Sequence, residues 1–262
     1  MISKIRKRLS RELLHFRIFL LKTRSGWMKG CSYFLQGRMD IDEKSLWFDK
    51  DFNHQTGGFL INDDFVERKI TELDSHDNVR RDMLILLSRS IIERKVEGAI
   101  AEVGVYQGMT AKLFHHYFPD RKLYLFDTFS GFDHGDIEKE KSASGLIADE
   151  KEFANTSVDK VLKYIAPTND NIVVVEGLFP GSLTNEAKEE RYALVHLDAD
   201  LYQPTIEGLR FFYDKMSEGG YIIVHDYNAW KGARLAVDEF CVERSVIPIP
   251  MPDKSGSCLI VK

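Results

Sequence analysis

Short apolar runs alternate with helical patterns from about residue 78 to the end of the chain. The apolar runs predict buried strands at Ala99–Val103, Leu123–Phe126, Ile172–Val175, Ala193–Leu197 and Tyr221–Val224. The patterns between them predict helices near Met109–Tyr117, Ser157–Ile165, Thr205–Lys215 and Ala233–Val242. Strands that alternate with helices are typical of an α/β fold, a parallel sheet with crossover helices. Ser257–Val261, which follows three prolines, is predicted to close the sheet as an edge strand.

Two segments beside these elements have patterns of their own. Apolar residues recur at helical spacing over Asn78–Lys95, which predicts a helix before the first strand. The connection between Asp127 and Asn155 is long, charged and glycine-containing. Loops of that length are usually functional lids or disordered segments, so we predict a mobile lid here.

The sequence pattern predicts a separate N-terminal region over residues 1–75 and the main domain over residues 76–262. Residues 1–24 hold eight Lys and Arg against one Glu, interleaved with apolar residues, and no small-residue cleavage site follows. This basic amphipathic helix either lies on an anionic membrane surface or packs on its own domain or a second subunit. Residues 25–75 are interrupted by glycines and rich in aromatic residues, which predicts a helical cap of short helices and loops.

Composition narrows the function classes. The 262 residues carry a net charge of −5, which argues against a nucleic-acid partner. The three cysteines are far apart, which favours a reducing compartment and neither a disulfide framework nor a structural zinc site. No apolar run reaches about 18 residues, so no spanning helix is expected. We therefore expect a cytoplasmic protein, with peripheral contact at the inner membrane surface through residues 1–24 as the open alternative.

A glycine turn follows the first predicted strand. Glu102 precedes it, Gly104 and Gly108 lie within it, and Asp127 ends the next strand. Such a turn lets backbone approach a ligand closely, and an acidic residue at the end of the second strand is placed to accept hydrogen bonds from ribose hydroxyls. The third glycine of the dinucleotide motif is missing, which disfavours a nicotinamide oxidoreductase.

Acidic residues also follow the fourth and fifth predicted strands. Asp198 and Asp200 come directly after one apolar run, and His225 and Asp226 after the other. Ligands of open α/β sheets bind outside the carboxyl ends of the strands, where all these residues fall. Acidic residues are almost never fully buried unless something pairs with them, so this pattern raises the question of what the partner is.

Six motifs resemble those of one known family. They are DNVRR at 77–81, AEVGVYQG at 101–108, FDTFSGF at 126–132, EGLF at 176–179, DADLY at 198–202 and HDY at 225–227. In this order and spacing the chain resembles the S-adenosylmethionine-dependent methyltransferases, and among them the macrocin O-methyltransferase family of metal-dependent sugar methyltransferases. The resemblance runs from about residue 74 to the C-terminus. It implies a Rossmann-like, doubly wound, seven-stranded sheet of the class I methyltransferase type, mostly parallel with an antiparallel C-terminal edge strand.

The resemblance also implies roles for single residues. The cofactor-binding positions would be Glu102, Gly104, Val105, Tyr106, Gly108, Thr110, Asp127, Thr128, Phe129, Gly177 and Leu178. Asp198, His225 and Asp226 match the metal positions, with Asp198 and His225 also counted among the catalytic residues, and Asp200 matches a candidate general base. His225 departs from the family pattern, where a carboxylate is usual, and an imidazole suits Mn²⁺, Fe²⁺ or Zn²⁺ better than Mg²⁺.

The expected cofactors are S-adenosylmethionine and a divalent metal, Mg²⁺ or Mn²⁺. The expected function is O-methylation of a sugar hydroxyl in a small-molecule or glycan acceptor such as a polysaccharide, glycolipid or glycosylated natural product, by a homo-oligomer, a dimer. Two alternatives stay open: methylation of another small diol of the catechol kind, and a non-catalytic binding module that keeps the cofactor fold.

Overall fold

The computed structural model describes residues 77–166 and 171–262, which form one sheet flanked by helices. The helices are α1 (Asn78–Glu93), α2 (Met109–Tyr117), α3 (His134–Ser144), α4 (Val158–Ile165), α5 (Asn185–Glu189), α6 (Tyr202–Tyr213) and α7 (Lys231–Arg244). The strands are β1 (Ala99–Val103), β2 (Leu123–Asp127), β3 (Ile172–Glu176), β4 (Tyr192–Leu197), β5 (Met216–Val224), β6 (Ile249–Pro250) and β7 (Cys258–Val261). The predicted N-terminal basic helix and aromatic cap lie outside the described residues.

The sheet has the order β3-β2-β1-β4-β5-β7-β6. The first five strands run parallel, while β7 pairs antiparallel with β5 and the two-residue strand β6 flanks β7 at the edge. The predicted α/β fold with a doubly wound, mostly parallel seven-stranded sheet is therefore confirmed.

Each face of the sheet is covered by its own apolar layer. Alternate residues of β1 divide between the layers: Ala101 and Val103 pack with Phe212 and Phe240 of α6 and α7. Ile100 packs on the other side with residues of α1, α2 and α4. Because both faces are covered, β1 and β4 are fully buried, as the continuous apolar runs predicted. Strand β3 is less buried than expected, because it lies at the open edge of the sheet.

The long connection after β2, predicted as a mobile lid, contains a helix. Asp133 caps the N-terminus of α3, where its side chain accepts hydrogen bonds from the amides of Gly135 and Asp136, and Gly145 caps the C-terminus in the left-handed conformation. Among its residues Ile137 and Glu140 are buried, so the helix is packed on the domain. The sequence patterns did not predict this helix, and the mobility of the lid stays a prediction.

No helix in the described part of the chain is long and apolar enough to cross a membrane.

Candidate active site

A cavity of about 260 Å³ opens at the carboxyl edge of the parallel strands. Its walls come from the loops after β1, β2, β3, β4 and β5 and from the segment around α3. The loops bring together residues that are up to 146 positions apart in the chain, from Arg80 to Asp226. Most of the predicted site residues line it: Glu102, Gly104, Val105, Tyr106, Thr110, Asp127, Thr128, Gly177, Leu178, Asp198, Asp200, His225 and Asp226.

The glycine turn after β1 touches the acidic loop after β4. Gly104 has φ +83°, and a Cβ built there would lie 2.0 Å from the carbonyl oxygen of Asp198. The amide of Asp198 donates to the carbonyl of Val103 at 2.8 Å, which joins the two loops from the other side. Only glycine fits both this conformation and this approach. The turn that would hold a cofactor and the loop that carries the acids are therefore one packed unit.

Asp127 braces the glycine turn. One of its oxygens accepts hydrogen bonds from the amides of Val105 (2.6 Å) and Tyr106 (2.9 Å), and the other accepts from the amide of Phe129 (2.7 Å). A carboxylate offers about four lone-pair sites, so Asp127 keeps capacity for about one more donor from the cavity. Asp127 therefore shapes the turn and still presents an acceptor to a ligand.

Four charged side chains meet at the inner end of the cavity. Arg80 Nη2 lies 2.6 Å from Asp198 Oδ2, and His225 Nδ1 lies 2.7 Å from Asp198 Oδ1. The same imidazole nitrogen is 2.8 Å from Asp226 Oδ2. The ligand atoms of Asp198, His225 and Asp226 all fall within 4.8 Å of one another.

The attraction between these opposite charges shifts the pKa values of Asp198 and His225. Burial opposes charge on Asp198, but the positive charges of His225 and Arg80 prevail and hold the pKa of that carboxyl well below its usual range. Burial also disfavours the imidazolium of His225, yet Asp198 beside it raises the pKa of His225 to about 9. Asp198 is therefore ionised and matched by cations on both of its oxygens.

Asp200 is the opposite case. Burial, then the negative charges of Asp198 and Asp226, raise the pKa of the Asp200 carboxyl well above its usual range. Such a carboxylate holds a proton more readily than a solvated one, which is what a general base for a hydroxyl group requires. Asp200 is thus chemically distinct from Asp198, only two residues away.

Backbone turns place these side chains. β4 ends at Leu197, so the alternation of a strand does not extend to Asp198 and Asp200. Asp200 instead adopts φ +59°, and the Leu201 amide donates to the Ala199 carbonyl across it at 2.5 Å. Likewise β5 ends at Val224 and Asp226 has φ +58°, so His225 and Asp226 both reach the cavity.

A second layer of polar residues supports the cluster from below. His196 is fully buried, and its Nδ1 lies 3.0 Å from Glu102 Oε1, while its Nε2 lies 3.4 Å from Arg80 Nη2. Burial lowers the pKa of His196 to about 3, and burial, followed by Asp198, raises the pKa of Glu102 well above its usual range. Glu102 Oε2, near the Ala111 amide, makes no hydrogen bond of normal geometry within the described part of the chain.

The outer end of the cavity is aromatic and acidic. The rings of Tyr106 and Phe153 lie 5.1 Å apart, and those of Phe153 and Phe132 lie 5.5 Å apart, both edge to face. Asp133 and Asp136 of the α3 segment also line this end. Arg80 and His225, at the inner end, are the cationic groups among the described lining residues.

Two predicted cofactor residues do not line the cavity. Gly108 caps α2 with φ +80°, and a Cβ there would contact Val161 and Ile165, so it serves close helix packing. Phe129 is 8% exposed and packs in the apolar layer below the sheet. Conversely, sequence reasoning assigned no role to Arg80 or Asp136. Arg80 stood inside the quoted DNVRR motif, whereas no signal pointed to Asp136.

Comparison with known proteins agrees with this geometry. The family model described as macrocin-O-methyltransferase matches residues 76–258, which is 183 of the 262 residues. The chain belongs to the macrocin O-methyltransferase family. The match spans β1 to β6, reaches the first residue of β7, and includes all the loops that line the cavity.

Two curated relatives are similar to this chain over part of their length. Demethyldecarbamoylnovobiocin O-methyltransferase of Streptomyces niveus is 29% identical over 159 residues, which are 57% of this chain and 60% of the relative. The 8-demethyl-8-(2,3-dimethoxy-alpha-L-rhamnosyl)-tetracenomycin-C 4'-O-methyltransferase of Streptomyces olivaceus is 26% identical over 174 residues, 62% of this chain and 64% of that one. The chain therefore spans less than two thirds of the length of either relative.

Solved structures share the fold. The O-methyltransferase NovP superposes with a TM-score of 0.59 at 21% identity, over 70% of this chain and 79% of that one. The calicheamicin methyltransferase CalS11 superposes with a TM-score of 0.54 at 22% identity, over 70% and 80%. At these identities the likeness concerns the fold alone.

Proposed function

We propose that this protein is an S-adenosylmethionine-dependent O-methyltransferase that methylates a sugar hydroxyl of a glycosylated small molecule or glycan. The observation that carries the proposal is the contact between the glycine turn and the acidic loop, Gly104 against Asp198. The glycine turn and Asp200 line the same cavity, which supports a site where a nucleoside cofactor and a base would meet. Family membership and the names of both curated relatives, which are O-methyltransferases, support the reaction type.

The residues present fit S-adenosylmethionine. Asp127 keeps acceptor capacity for about one more donor, which a ribose hydroxyl would supply, and the buried Glu102 would suit an ammonium group at the inner end. Leu178 and Gly177 supply an apolar wall beyond Asp127. When bound, the cofactor supplies a methyl group on a sulfonium, which the acceptor oxygen displaces.

Asp200 would accept the proton of the acceptor hydroxyl. An uncharged hydroxyl is a weak nucleophile, and proton transfer to a positioned base in the transition state typically contributes 10²- to 10⁴-fold. Asp200 is 8% exposed and lines the cavity, and in its ionised form it would bind a proton more strongly than Asp198, whose pKa is lowered.

The inner cluster also fits a divalent cation. The ligand atoms of Asp198, His225 and Asp226 lie within 4.8 Å of one another, close enough to bind one ion. The His225 proton now faces both carboxylates, and a bound ion would take its place between them. Asp198, His225 and Asp226 would hold it, and one imidazole with two carboxylates favours Mn²⁺, Fe²⁺ or Zn²⁺ over Mg²⁺. A bound ion would lower the pKa of the acceptor hydroxyl.

A sugar ring suits the outer end of the cavity. Sugar rings present apolar C–H faces to aromatic side chains, here Tyr106, Phe132 and Phe153, and hydroxyl donors to carboxylates such as Asp136. Because the lining described at this end carries no cation, we expect an acceptor without a phosphate next to the reacting ring.

The test is methyl transfer from labelled S-adenosylmethionine to a panel of glycosides, nucleotide sugars and catechols, with EDTA and with added Mn²⁺ or Mg²⁺. We expect transfer to a neutral glycoside, stimulated by Mn²⁺, and calorimetric binding of the cofactor without metal. Methyl transfer confined to catechols would contradict the assignment of a sugar acceptor, and full activity in EDTA would contradict the proposed dependence on a divalent cation.

A further inference from the structure

Helix α3 carries a buried carboxylate that the proposed chemistry does not use. Glu140 is fully buried, and its oxygens accept hydrogen bonds from within the domain. Oε1 accepts from the Ser144 hydroxyl at 2.5 Å, and Oε2 accepts from the Tyr202 amide at 2.8 Å. An acidic side chain is almost never fully buried unless it is paired, so these contacts need an explanation.

The Tyr202 amide is the first N–H of α6, which lacks a capping side chain of its own. The residue at the N-cap position is Leu201, which makes no side-chain hydrogen bond to the helix. Leucine is among the poorest residues at this position, because it has no acceptor for the free amides. Glu140 supplies the missing acceptor from another helix, and its negative charge suits the positive end of the helix dipole.

The same carboxylate packs against the beginning of α7. A Cβ built on Gly232, the second residue of α7, would lie 1.8 Å from Glu140 Oε2 and 2.4 Å from Cδ. The N-cap residue of α7, Trp230, makes no side-chain cap either. Glycine at 232 is therefore what lets the carboxylate enter between the beginnings of α6 and α7.

These two helices begin directly after the two loops that form the acidic cluster. Asp200 lies two residues before Tyr202, in a backbone conformation that non-glycine residues rarely adopt. Asp226 accepts hydrogen bonds on its carbonyl from the amides of Ala229 and Trp230, so its loop runs straight into α7. Glu140 thus contacts both helix beginnings at the points where the loops end.

Apolar contacts tie α3 to the same place. Ile137 of α3 packs with Leu201 and Ala148, and Phe132 stacks edge to face on Trp230 with ring centroids 6.1 Å apart. Helix α3 is thus packed beside the beginnings of α6 and α7, and its residue Asp136 also lines the outer end of the cavity.

We propose that Glu140 is a positioning residue that fixes the Asp200 loop against the Asp226 loop. It does so by anchoring the first turns of α6 and α7 to α3, the helix that walls the acceptor end of the cavity. Glu140 touches neither acceptor nor cofactor in this role. The inference rests on the proposed function, because Asp200 is taken as the base.

Two conservative substitutions of Glu140 distinguish the effect of side-chain length from the effect of charge. Glu140→Gln keeps an oxygen that can accept from the Tyr202 amide, while Glu140→Asp keeps the charge but is one methylene too short. We expect Glu140→Gln to retain most of the turnover and Glu140→Asp to lose about a hundredfold in kcat, since a 1 Å misplacement of reacting groups costs about that much. Cofactor affinity should be unchanged in both. Glu138→Gln, an exposed position on the same helix, is the matched control and should behave as the wild type.

A double-variant cycle tests the contact itself. Gly232→Ala should slow turnover by driving a methyl group into the carboxylate, and adding Glu140→Ala should remove that clash, so that the double variant is no slower than Glu140→Ala alone. The proposal is overturned if the double variant loses the product of the two single-variant losses in turnover, or if Glu140→Asp turns over as fast as the wild type. If Glu140→Ala does not fold, the Asp and Gln pair decides.

Hydrogen exchange keeps the inference separate from the proposed function. Exchange of the Tyr202 amide should accelerate in Glu140→Asp and stay slow in Glu140→Gln, whatever the acceptor proves to be. Absence of methyl transfer by the wild type together with this exchange pattern would refute the function and leave the anchor standing. If the wild type is active but the Tyr202 amide still exchanges slowly in Glu140→Asp, the positioning role of Glu140 is refuted.

Discussion

Replacing Gly104 with alanine should damage both halves of the site at once. The backbone at Gly104 has φ +83°, which costs a residue with a Cβ about 1–2 kcal/mol. The new Cβ would also lie 2.0 Å from the Asp198 carbonyl oxygen, whereas Cβ atoms in real structures essentially never come closer than 3.0 Å. The glycine turn and the Asp198 loop must therefore separate by about 1 Å.

Such a separation is large for a catalytic site. A displacement of about 1 Å can cost about a hundredfold in rate, and here it moves the acids relative to the cofactor turn. We expect Gly104→Ala to lose at least about a hundredfold in turnover and to bind S-adenosylmethionine more weakly, measured by calorimetry and by methyl transfer.

Gly145 provides a matched control. It ends α3 with φ +77°, but a Cβ there would meet nothing within 4 Å. Gly145→Ala should thus lose about 1–2 kcal/mol of stability from the backbone alone and keep cofactor binding and turnover. If Gly104→Ala matches Gly145→Ala in every assay, the contact with Asp198 has no functional weight and the reasoning fails.

Three further predictions concern other parts of the chain. Burial raises the pKa of Asp136, so ionisation of this carboxyl at neutral pH destabilises the folded state. Asp136→Asn should therefore raise the melting temperature at pH 7, and this gain should vanish below about pH 4, where the carboxyl is protonated in both the folded and the unfolded state. An unchanged or lower melting temperature at pH 7 would contradict this prediction. Deleting residues 2–24 should leave cofactor binding intact. If the deletion abolishes flotation with liposomes, residues 1–24 bind membranes; if it instead dissociates the oligomer, they pack against a second subunit. No change in either measurement would exclude both interpretations. Asp198→Asn and Asp226→Asn should abolish metal stimulation, while Asp200→Asn should keep metal affinity in a titration and lower turnover by about 10²- to 10⁴-fold; equal behaviour of all three would refute separate roles.

Strong, continuous apolar runs made most of the sheet predictable. β1 was predicted with its exact residues, because it is buried on both faces and bounded by charged and glycine residues. β5 begins five residues earlier than predicted, at Met216, since Gly219 and Gly220 interrupt its pattern. α6 begins at Tyr202 rather than Thr205, because a proline in the first helical turn is compatible with a helix.

Helix α3 was missed for a physical reason. Two of its three buried residues, Asp136 and Glu140, are acidic, so no apolar period marks the buried face. Its cap residues, Asp133 and Gly145, were the only available signal. The distance in sequence between Glu140 and its contacts at Tyr202 and Gly232 also cannot be read from local patterns.

Most members of the candidate site were predictable, Arg80 and Asp136 being exceptions, but its contacts were not. Strand ends located Asp198, Asp200 and Asp226 at one edge. The left-handed turns at Asp200 and Asp226, and the bond from Arg80 to Asp198, depend on tertiary packing that no periodicity encodes.

The most direct test of the central claim is where the methyl group goes. The protein should be incubated with ¹³C-methyl S-adenosylmethionine and a neutral glycoside, and the product fragmented by mass spectrometry. The account predicts one labelled methyl group on a sugar-ring oxygen, with the yield sharply reduced in Asp200→Asn. Label on the aglycone, or undiminished transfer by Asp200→Asn, would contradict it.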